Sequence, residues 1–264
     1  MSGTGFSLTK WYLDCVDDEG RTAIAYWSSL AWRGLSITWH SLEIHEDGHE
    51  PLLRTSLEQT AAPQVGTDIE WQAPALGAAV TCRPVAPPFA EVLLEPADRG
   101  VSWRCESAVG DAVIACADRL PVSGRGYAER LTLTMPPWEV PIKELRWGRW
   151  MSAVSPRSVV WIDWRGPHPL TRVWLDGRPT VTADISETGV SFGGARLGFD
   201  RSTVLHTRSL GDTLGRLKGV LAPLMPSSWM ALEDTKWRSE GSLQEEPGRA
   251  TERGWVVHEK VLFP

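Results

Sequence analysis

Residues 21–44 read RTAIAYWSSLAWRGLSITWHSLEI. β-Branched and aromatic residues alternate along it in short runs, which is the pattern of half-buried β-strands. Asp47-Gly48 follows and predicts a hairpin turn, because this dipeptide suits the left-handed positions of a tight turn. The stretch therefore predicts strands rather than helices at the start of the chain.

The same pattern recurs further along. Residues 101–117 predict two strands on either side of Gly110-Asp111. Residues 158–164, SVVWIDW, are apolar on both faces and predict a strand that is covered on both sides. Asp176-Gly177 predicts another hairpin, and residues 254–264 alternate cleanly. Many short strands with Gly and Pro between them predict an all-β sandwich or barrel.

One short helix is predicted. Leucines recur every three or four residues over 209–225, which is a helical period. Asp212 is expected to cap the start of this helix, and Pro223 is expected to end it. The Pro-, Ala- and Gly-rich residues 60–88 predict a long surface excursion, and residues 239–253 predict an exposed polar loop.

The length suits one large or two small domains. Turn residues 165–167, Arg-Gly-Pro, follow a predicted strand and place a domain boundary there. The sequence thus predicts an N-terminal domain of residues 1–166 and a smaller C-terminal domain of residues 167–264. We find no internal sequence repeat.

Composition excludes several classes of protein. The chain has 264 residues, of which 42% are hydrophobic and 23% charged, and its formal net charge is −6. General disorder and a broad nucleic-acid footprint are therefore not expected. The unusual count is tryptophan, with 15 residues against 5 Phe and 3 Tyr. So many indoles fill β-cores or line an apolar binding surface.

The start of the chain and its cysteines point to the cytoplasm. The N-terminal sequence has no basic segment before an apolar run, so no signal peptide is expected, and no run is long enough for a transmembrane helix. The four cysteines form no CxxC pair and lack zinc-site spacing, which predicts buried free thiols in a reducing compartment. They are Cys15, Cys82, Cys105 and Cys116.

Residues 124–150 carry the chemistry that the sequence suggests. As a strand, their first part presents Tyr127 and Glu129 on an apolar face, and it leaves Ala128 and Arg130 on a solvent-like face. A carboxylate on an apolar face is costly unless it is paired or protonated, and burial raises its pKa toward that of a general acid. The alternative is a structural ion pair between Glu129 and an arginine further on, Arg146 or Arg149.

The following segment, PPWEVPIKELRWGRW, is rich in tryptophan and arginine. Aromatic faces beside a buried acid can stabilise a developing cation, whereas a Trp/Arg stack can also simply close the end of a barrel. We take as catalytic candidates Glu129, Tyr127 and Arg149. We take as substrate-binding candidates Trp138, Trp147, Trp150, Arg146 and Trp161.

Three weaker patterns favour structural explanations. Ser191 lies in GVSFG, but the glycine-rich residues that follow do not predict the helix that a nucleophile elbow needs. His40, His45 and His49 lie near acidic residues, yet solvated loop positions are a better account than a metal site. Glu259 repeats the pattern of Glu129, and a structural ion pair is its expected role.

Together the motifs resemble a known family. The segment WYLDCVDDEGR (11–21) is similar to the opening of the superfamily of carotenoid 1,2-hydratase (hydroxyneurosporene synthase) and AttH-like proteins. Residues 126–129 followed by 146–149 resemble its central acidic and W-x-R region, and residues 254–264 resemble its terminal strand. The chain differs at Ala128, where that family usually has His, and it lacks the Asn-x-Gly that follows.

The resemblance implies two lipocalin-like antiparallel β-domains packed side by side, with one or two short helices and a large apolar pocket. It places Glu129 on the family's acidic position and Trp147 and Arg149 on its aromatic and basic ones. Members of this superfamily hydrate acyclic carotenoids or, among fungal members, catalyse intramolecular Diels–Alder cyclisation.

Three functions remain open on these grounds. The first is an enzyme without a cofactor or metal, in which Glu129 protonates a hydrophobic polyene or isoprenoid and water or an internal π-bond captures the cation. The second is a pericyclase that acts by folding a polyene into a reactive shape. The third is a non-catalytic lipid- or pigment-binding protein. In each case the partner is a hydrophobic small molecule, reached in solution or from a membrane surface.

Overall fold

The computed structural model describes residues 5–95, 99–214, 219, 225–245 and 250–264. Its chain divides into two compact units, residues 1–137 and 138–264. Each unit is built around one antiparallel sheet, so the predicted all-β class is confirmed. Among the described residues, none forms a helix with the length and apolar character needed to cross a membrane.

The first unit contains a ten-stranded sheet. Its strands are β1 (Ser7–Val16), β2 (Thr22–Trp32), β3 (Leu35–His45), β4 (Leu52–Ser56), β5 (Gln64–Val65), β6 (Ile69–Ala73), β7 (Ala78–Pro84), β8 (Phe89–Leu94), β9 (Val101–Cys116) and β10 (Arg119–Leu133). Their spatial order is β4-β3-β2-β1-β10-β9-β7-β6-β5, with β8 also paired to β9. A short 3₁₀ helix, Pro74–Leu76, joins β6 to β7.

The second unit contains a nine-stranded sheet. Its strands are β11 (Glu144–Ser152), β12 (Ser158–Arg165), β13 (Leu170–Leu175), β14 (Arg178–Pro179), β15 (Ala183–Ile185), β16 (Gly189–Phe192), β17 (Ala195–Ser209), β18 (Glu233–Gln244) and β19 (Glu252–Leu262). The helix α1 (Leu210–Leu214) follows β17, and 3₁₀ turns occupy Pro137–Glu139 and Ser227–Ala231.

Both units have the same connectivity. The order of the second sheet is β14-β13-β12-β11-β19-β18-β17-β16-β15, which repeats the first sheet position by position apart from β8. In each unit the first strand lies between the second strand and the last, so the sheet closes back on its own beginning. The sequence shows no repeat, and this duplication is visible only in the fold.

The core of the first unit follows from alternation along its strands. Trp11, Leu13 and Cys15 of β1 point to one face, and Ile69 and Trp71 of β6 point to the same core. Their neighbours in sequence therefore lie on the opposite face of the sheet, because side chains alternate with a period of two. This opposite face carries the residues of the candidate site.

The core of the second unit is built around tryptophan. Trp150 and Trp161 pack with Val159, Phe192 and Leu197, and all five are almost completely buried. Strand β12 is buried along nearly its whole length, which confirms the prediction that it is covered on both faces. Indole packing in the two cores accounts for much of the tryptophan excess.

Two predicted turns are confirmed and one is wrong. Asp176 and Gly177 have φ of 52° and 74°, and Gly48 has φ of 78°, as tight hairpin turns require. Gly110, by contrast, lies inside the continuous 16-residue strand β9. A Cβ at this position would lie 2.7 Å from the Arg83 carbonyl oxygen and 2.8 Å from Cys82 Sγ. Close packing between strands, not a turn, therefore explains this glycine.

The predicted loops also hold regular structure. Strands β5, β6 and β7 lie within the expected surface excursion of residues 60–88, and residues 239–244 extend strand β18 into the expected polar loop. In both places the polar residues of the sequence alternate with buried ones, as in a one-sided strand. The polar composition therefore marks an exposed sheet face rather than an irregular segment.

The predicted helix begins one residue after Ser209. Ser209 Oγ accepts a hydrogen bond from the Asp212 backbone N–H (3.1 Å), and Asp212 Oδ2 accepts one from the Ser209 backbone N–H (3.1 Å). This is a capping box, so Ser209 is the N-cap and Asp212 its reciprocal partner, not the cap that the sequence suggested. The predicted end at Pro223 lies outside the described residues.

The two units divide earlier than the boundary expected at residues 166 and 167. Strands β11 and β12 lie between the two positions, and both belong to the second sheet. The turn residues 165–167 close a hairpin in which Trp164 of β12 pairs with Leu170 of β13. A strong turn signal thus marks a connection within a unit, whereas the division itself falls in the Pro-rich stretch near Pro137.

Candidate functional site

Glu129 lies on β10, on the face of the first sheet opposite to its core. Its Oε2 accepts two hydrogen bonds, from Trp103 Nε1 at 2.5 Å and from the Tyr127 hydroxyl at 2.7 Å. The side chain is half-buried, so the full burial that the sequence suggested is not observed. Two neutral donors thus fix one oxygen of this carboxyl group.

The local register explains this arrangement. Tyr127 and Glu129 are two residues apart on one strand and therefore share a face. Ala128, expected on a solvent-like face, is fully buried in the core of the unit, because the core covers the other side of the sheet. The pairing of β10 with β9 shifts between Ala128 and Glu129, and this irregularity places Glu129 opposite Cys105.

All three tyrosines of the chain meet on this face, in a group that we call the tyrosine cluster: Tyr12, Tyr26 and Tyr127. The ring of Tyr12 lies 6.1 Å from that of Tyr127 and 5.2 Å from that of Tyr26, both edge to face. The Tyr12 hydroxyl donates to Asp14 Oδ2 at 2.8 Å, and Asp14 is itself buried. The register pairs Tyr12 with both Glu129 and Tyr26.

Burial controls the ionisation of the groups beside Glu129. It holds the pKa of Tyr127 well above its usual range, and the nearby Cys105 and Glu129 add to this effect. The pKa of the buried Cys105 thiol is also well above normal, through burial and then through the charge of Glu129. Tyr127 therefore stays protonated and remains a hydrogen-bond donor.

The sequence did not identify Trp103, Tyr12 or Asp14 as site residues. Tyr12 and Asp14 are two residues apart within the quoted WYLD, so their shared face could have been read from alternation. Trp103 is 26 residues away from Glu129, and only the pairing of β9 with β10 brings it close.

The other predicted site residues belong to the second unit. Trp150 is fully buried, and its Nε1 donates to the Gly241 carbonyl oxygen at 3.3 Å. Trp150 thus packs in the core of its unit, and its predicted substrate contact stays a prediction. Trp138 lies in the 3₁₀ turn of residues 137–139, half-buried, with its ring 6.3 Å from that of Trp229.

Trp147 and Arg149 share the face of β11 that points away from the core. The Trp147 ring lies 5.2 Å from Lys236 Nζ, and Lys236 forms a close ion pair with Glu259. The predicted structural ion pair of Glu259 is thus confirmed, with Lys236 as partner. Arg149 is fully buried and donates to the Trp255 carbonyl oxygen at 3.0 Å.

Arg146 and Trp161 line a cavity of about 260 Å³ in the second unit, which we call the aromatic cavity. Its lining residues are Arg146, Trp147, Trp161, Ile185, Ser186, Glu187, Thr188, Phe199, Ser202, Trp237, His258, Glu259 and Lys260. Arg146 forms ion pairs with Glu144 at 2.5 Å and Glu187 at 3.6 Å. Arg146 is therefore paired with two carboxylates of its own unit.

The residues of the weaker sequence patterns lie mostly on strands, and His40 and His45 are buried on β3 rather than at the solvated loop positions that the sequence predicted. Ser191 lies on β16 and pairs with Asp184 and Arg196, so it sits in a strand and not at a sharp strand-to-helix turn. The imidazole of His40 is buried against Trp71, with ring centroids 5.9 Å apart. His45 is buried and contacts Glu43 at 3.2 Å, and His49 is exposed beyond the turn.

Solved structures with a similar fold cover almost the whole chain. CghA matches with a TM-score of 0.60 and 10% identity, over 98% of this chain and 88% of that chain. An AttH-like protein from Nitrosomonas europaea matches at 0.55 and 10%, over 96% and 92%. Kievitone hydratase from Nectria haematococca matches at 0.51 and 6%, over 98% and 89%. No family model and no curated protein matches the chain.

At these identities the likeness shows the fold. The chain has the two-domain, all-β, lipocalin-like fold that the resemblance implied. One of the structures that share this fold is named as a hydratase.

Proposed function

We propose that the protein is an enzyme that adds a proton to a hydrophobic polyene or isoprenoid, with Glu129 as the acid. Water or a second π-bond of the same molecule then captures the resulting cation. The protein itself supplies the proton, the orientation of the substrate and the surroundings of the cation. The arrangement around Glu129 carries this proposal.

Two hydrogen bonds reach the carboxyl group of Glu129. Trp103 Nε1 and the Tyr127 hydroxyl both donate to its Oε2. The two donors also hold the carboxyl group in one orientation, which is a requirement for efficient general acid catalysis. Tyr127 is suited to this work because its raised pKa keeps the hydroxyl protonated.

The rings around the carboxyl group suit a cationic intermediate. The face of an aromatic ring carries partial negative charge and attracts a cation by about 0.5–2 kcal/mol, more when water is excluded. Trp103 and Tyr127 contact the carboxyl group directly, and the buried rings of Tyr12 and Tyr26 pack beside Tyr127. The buried carboxyl group of Asp14 lies on the same face and accepts a hydrogen bond from Tyr12.

The proposed reaction balances without a redox partner. Glu129 gives its proton to one carbon of an alkene, and the other carbon becomes the cation. For hydration, water attacks that carbon and loses a proton, so that the product gains one molecule of water. For cyclisation, an internal alkene attacks, and loss of a proton returns a product of unchanged mass. In either case the carboxylate recovers its proton at the end.

The name of one similar structure supports the reaction class. Kievitone hydratase, whose fold the chain shares, is by its name an enzyme that adds water. A pericyclase or a carrier would also need an apolar binding surface. The three functions differ, however, in what happens to a substrate in heavy water.

We therefore suggest incubation of the purified protein with a lipid extract of its own cells in D₂O, followed by untargeted mass spectrometry. Acid-initiated hydration gives a product that gains water and one non-exchangeable deuterium, and acid-initiated cyclisation gives deuterium on carbon. A pericyclic reaction gives an isomer without deuterium, and a carrier returns its ligand unchanged. The last two outcomes would contradict our proposal.

A further inference from the structure

The aromatic cavity of the second unit is lined by a continuous run of four rings. Trp161 stacks on Phe199 with centroids 5.5 Å apart, and Phe199 lies 4.8 Å from His258. His258 in turn stacks on Trp237 at 5.1 Å. Phe199 and Trp237 are only half-buried although they are large and apolar. The wall therefore offers flat aromatic surface to a planar molecule.

A glycine lets the inner part of this wall form. Gly148 on β11 faces Trp161 and His258, and a Cβ there would lie 2.2 Å from the indole of Trp161 and 2.8 Å from His258 Cβ. The glycine allows both rings to lie close to the strand. The space that remains above them is the cavity of about 260 Å³.

The rim of the cavity is built to hold a carboxylate. Lys260 Nζ donates to Glu187 Oε1 at 2.9 Å, and Arg146 lies 3.6 Å from the same oxygen. The Glu187 side chain is 65% exposed and belongs to the turn between β15 and β16. The hydrogen bond and charge of Lys260, followed by the charge of Arg146, lower the pKa of Glu187. The exposed side chain of Glu187 thus occupies an anion position between two cations of the sheet, Arg146 and Lys260.

A chain of hydroxyl groups gives the cavity a neutral polar side. Ser202 Oγ lies 2.7 Å from Ser239 Oγ, which lies 3.1 Å from His258 Nε2. Ser202 sits at an irregularity in the pairing of β17 with β18, beside Arg201, whose φ is 45°. Such a bulge redirects a side chain, and here it turns Ser202 toward Ser239. Burial, with the charges of Lys236 and Arg146, lowers the pKa of His258 to about 4, so that this side remains uncharged at neutral pH.

We propose that the aromatic cavity is a second ligand site, separate from Glu129, for a small aromatic carboxylate. The ring of the ligand stacks on Phe199 and Trp237, and its carboxylate takes the place of Glu187 between Arg146 and Lys260. The volume agrees with this class of ligand, because a cavity of about 150 Å³ holds benzene. The aromatic cavity has room for a fused or substituted ring.

The proposal predicts opposite effects for the two partners at the rim. With 2-naphthoate as probe, Glu187→Gln removes a competing carboxylate and raises affinity, whereas Lys260→Gln removes a cation and lowers it. We expect changes of about tenfold in each direction. The neutral isostere 2-naphthamide has no charge to place at the rim, so both substitutions leave its affinity unchanged.

Isothermal titration calorimetry of the full-length protein measures these affinities. Glu233→Gln, an exposed carboxylate on β18, is the matched control and leaves naphthoate binding unchanged. Glu129→Gln also leaves it unchanged, which separates this site from the proposed catalytic one. The proposal is overturned if neither the natural protein nor Glu187→Gln binds naphthoate at millimolar concentration. Equal responses of naphthoate and naphthamide to the substitutions would overturn it as well.

Discussion

His258 shows how burial changes the chemistry of a single side chain. Its ring is enclosed between Phe199 and Trp237, and Nε2 lies 3.1 Å from Ser239 Oγ. Burial is the largest cause of its lowered pKa, and the nearby cations Lys236 and Arg146 act in the same direction. Protonation would place a third positive charge among these groups without water to screen it. The native fold therefore requires the neutral imidazole.

This requirement predicts a loss of stability in acid. The pKa of His258 falls from 6.5 to about 4 on folding, so the unfolded chain binds more protons between these values. Stability is then full above pH 6.5 and declines as the pH falls toward 4, by at most about 1.4 kcal/mol per pH unit. Urea denaturation at several pH values measures the free energy of unfolding. In His258→Gln this free energy should decline less steeply as the pH falls. Identical slopes for the two proteins would contradict this account.

At the scale of residues, sequence alone accounts for part of the site. The i, i+2 spacing of Tyr127 and Glu129 on one strand face follows from alternation, and the structure has the two in direct contact. The hydrogen bond from Trp103 does not follow, because it depends on the register of two long strands. Residues that are distant in sequence meet through pairing, which no local pattern records.

Glycines on the strands of the second unit show how an element sets the packing around it. Gly148 on β11 leaves no space for a methyl group, because the indole of Trp161 and the side chain of His258 close over it. Gly198 on β17 is different, since a Cβ there would meet nothing within 4 Å. Neither has the positive φ that makes glycine necessary for backbone reasons. Their difference is therefore one of packing alone.

We predict that Gly148→Ala lowers the free energy of unfolding by about 1–3 kcal/mol, because overpacking forces the rings apart. The matched substitution Gly198→Ala should change it by less than about 0.5 kcal/mol, as is usual where no contact is disturbed. Urea denaturation of both variants tests the comparison. Equal losses would show that strand glycines matter here for some reason other than packing.

The hairpin at Asp176-Gly177, a local arrangement of a few residues, was predicted well, and elements set by long-range packing were not. The capping box of α1 is also local, but its N-cap is Ser209 and not the expected Asp212. Gly110 carries the same turn signal in the sequence, yet it lies within a strand because Cys82 and Arg83 pack against it. A glycine needed for close approach and a glycine needed for a turn look alike in a sequence.

At the scale of the molecule, the same strand connectivity occurs in both units, which are built from different residues. The strand orders of the two sheets correspond position by position, but all four cysteines lie in the first unit. Each is a buried free thiol. Burial raises the pKa of Cys82 to about 12 and that of Cys105 well above the usual value. The reactivity of the thiols therefore reports on unfolding of the first unit. Tryptophans, by contrast, occur in both units.

We predict that none of the four thiols reacts with Ellman's reagent at pH 8 in the absence of denaturant. In increasing urea they should become reactive in one transition, because Cys15, Cys82 and Cys116 belong to a single core. The reaction rate under native conditions provides the measurement. A thiol that reacts at the rate of a free cysteine would contradict the described burial.

The fold class was accessible from sequence, and the limits of the units were not. Alternating apolar residues and hairpin dipeptides were sufficient to predict an all-β chain. The division at residues 137 and 138 depends on which strands pair, and the turn at 165–167 proved to be a hairpin within the second sheet. The duplicated topology has no matching repeat in the sequence, because different residues can pack into the same strand order.

The most direct test of the proposed function is the rate of substrate conversion by Glu129→Gln. Circular dichroism and urea denaturation first show that this variant is folded. Glutamine keeps the size and one acceptor oxygen of the side chain but cannot transfer a proton. The account predicts a loss of about 10²–10⁴-fold in rate, as expected for removal of a general acid. The exposed carboxylate Glu70, changed to Gln, serves as the control and retains full activity. Unchanged turnover in a folded Glu129→Gln variant would contradict the account.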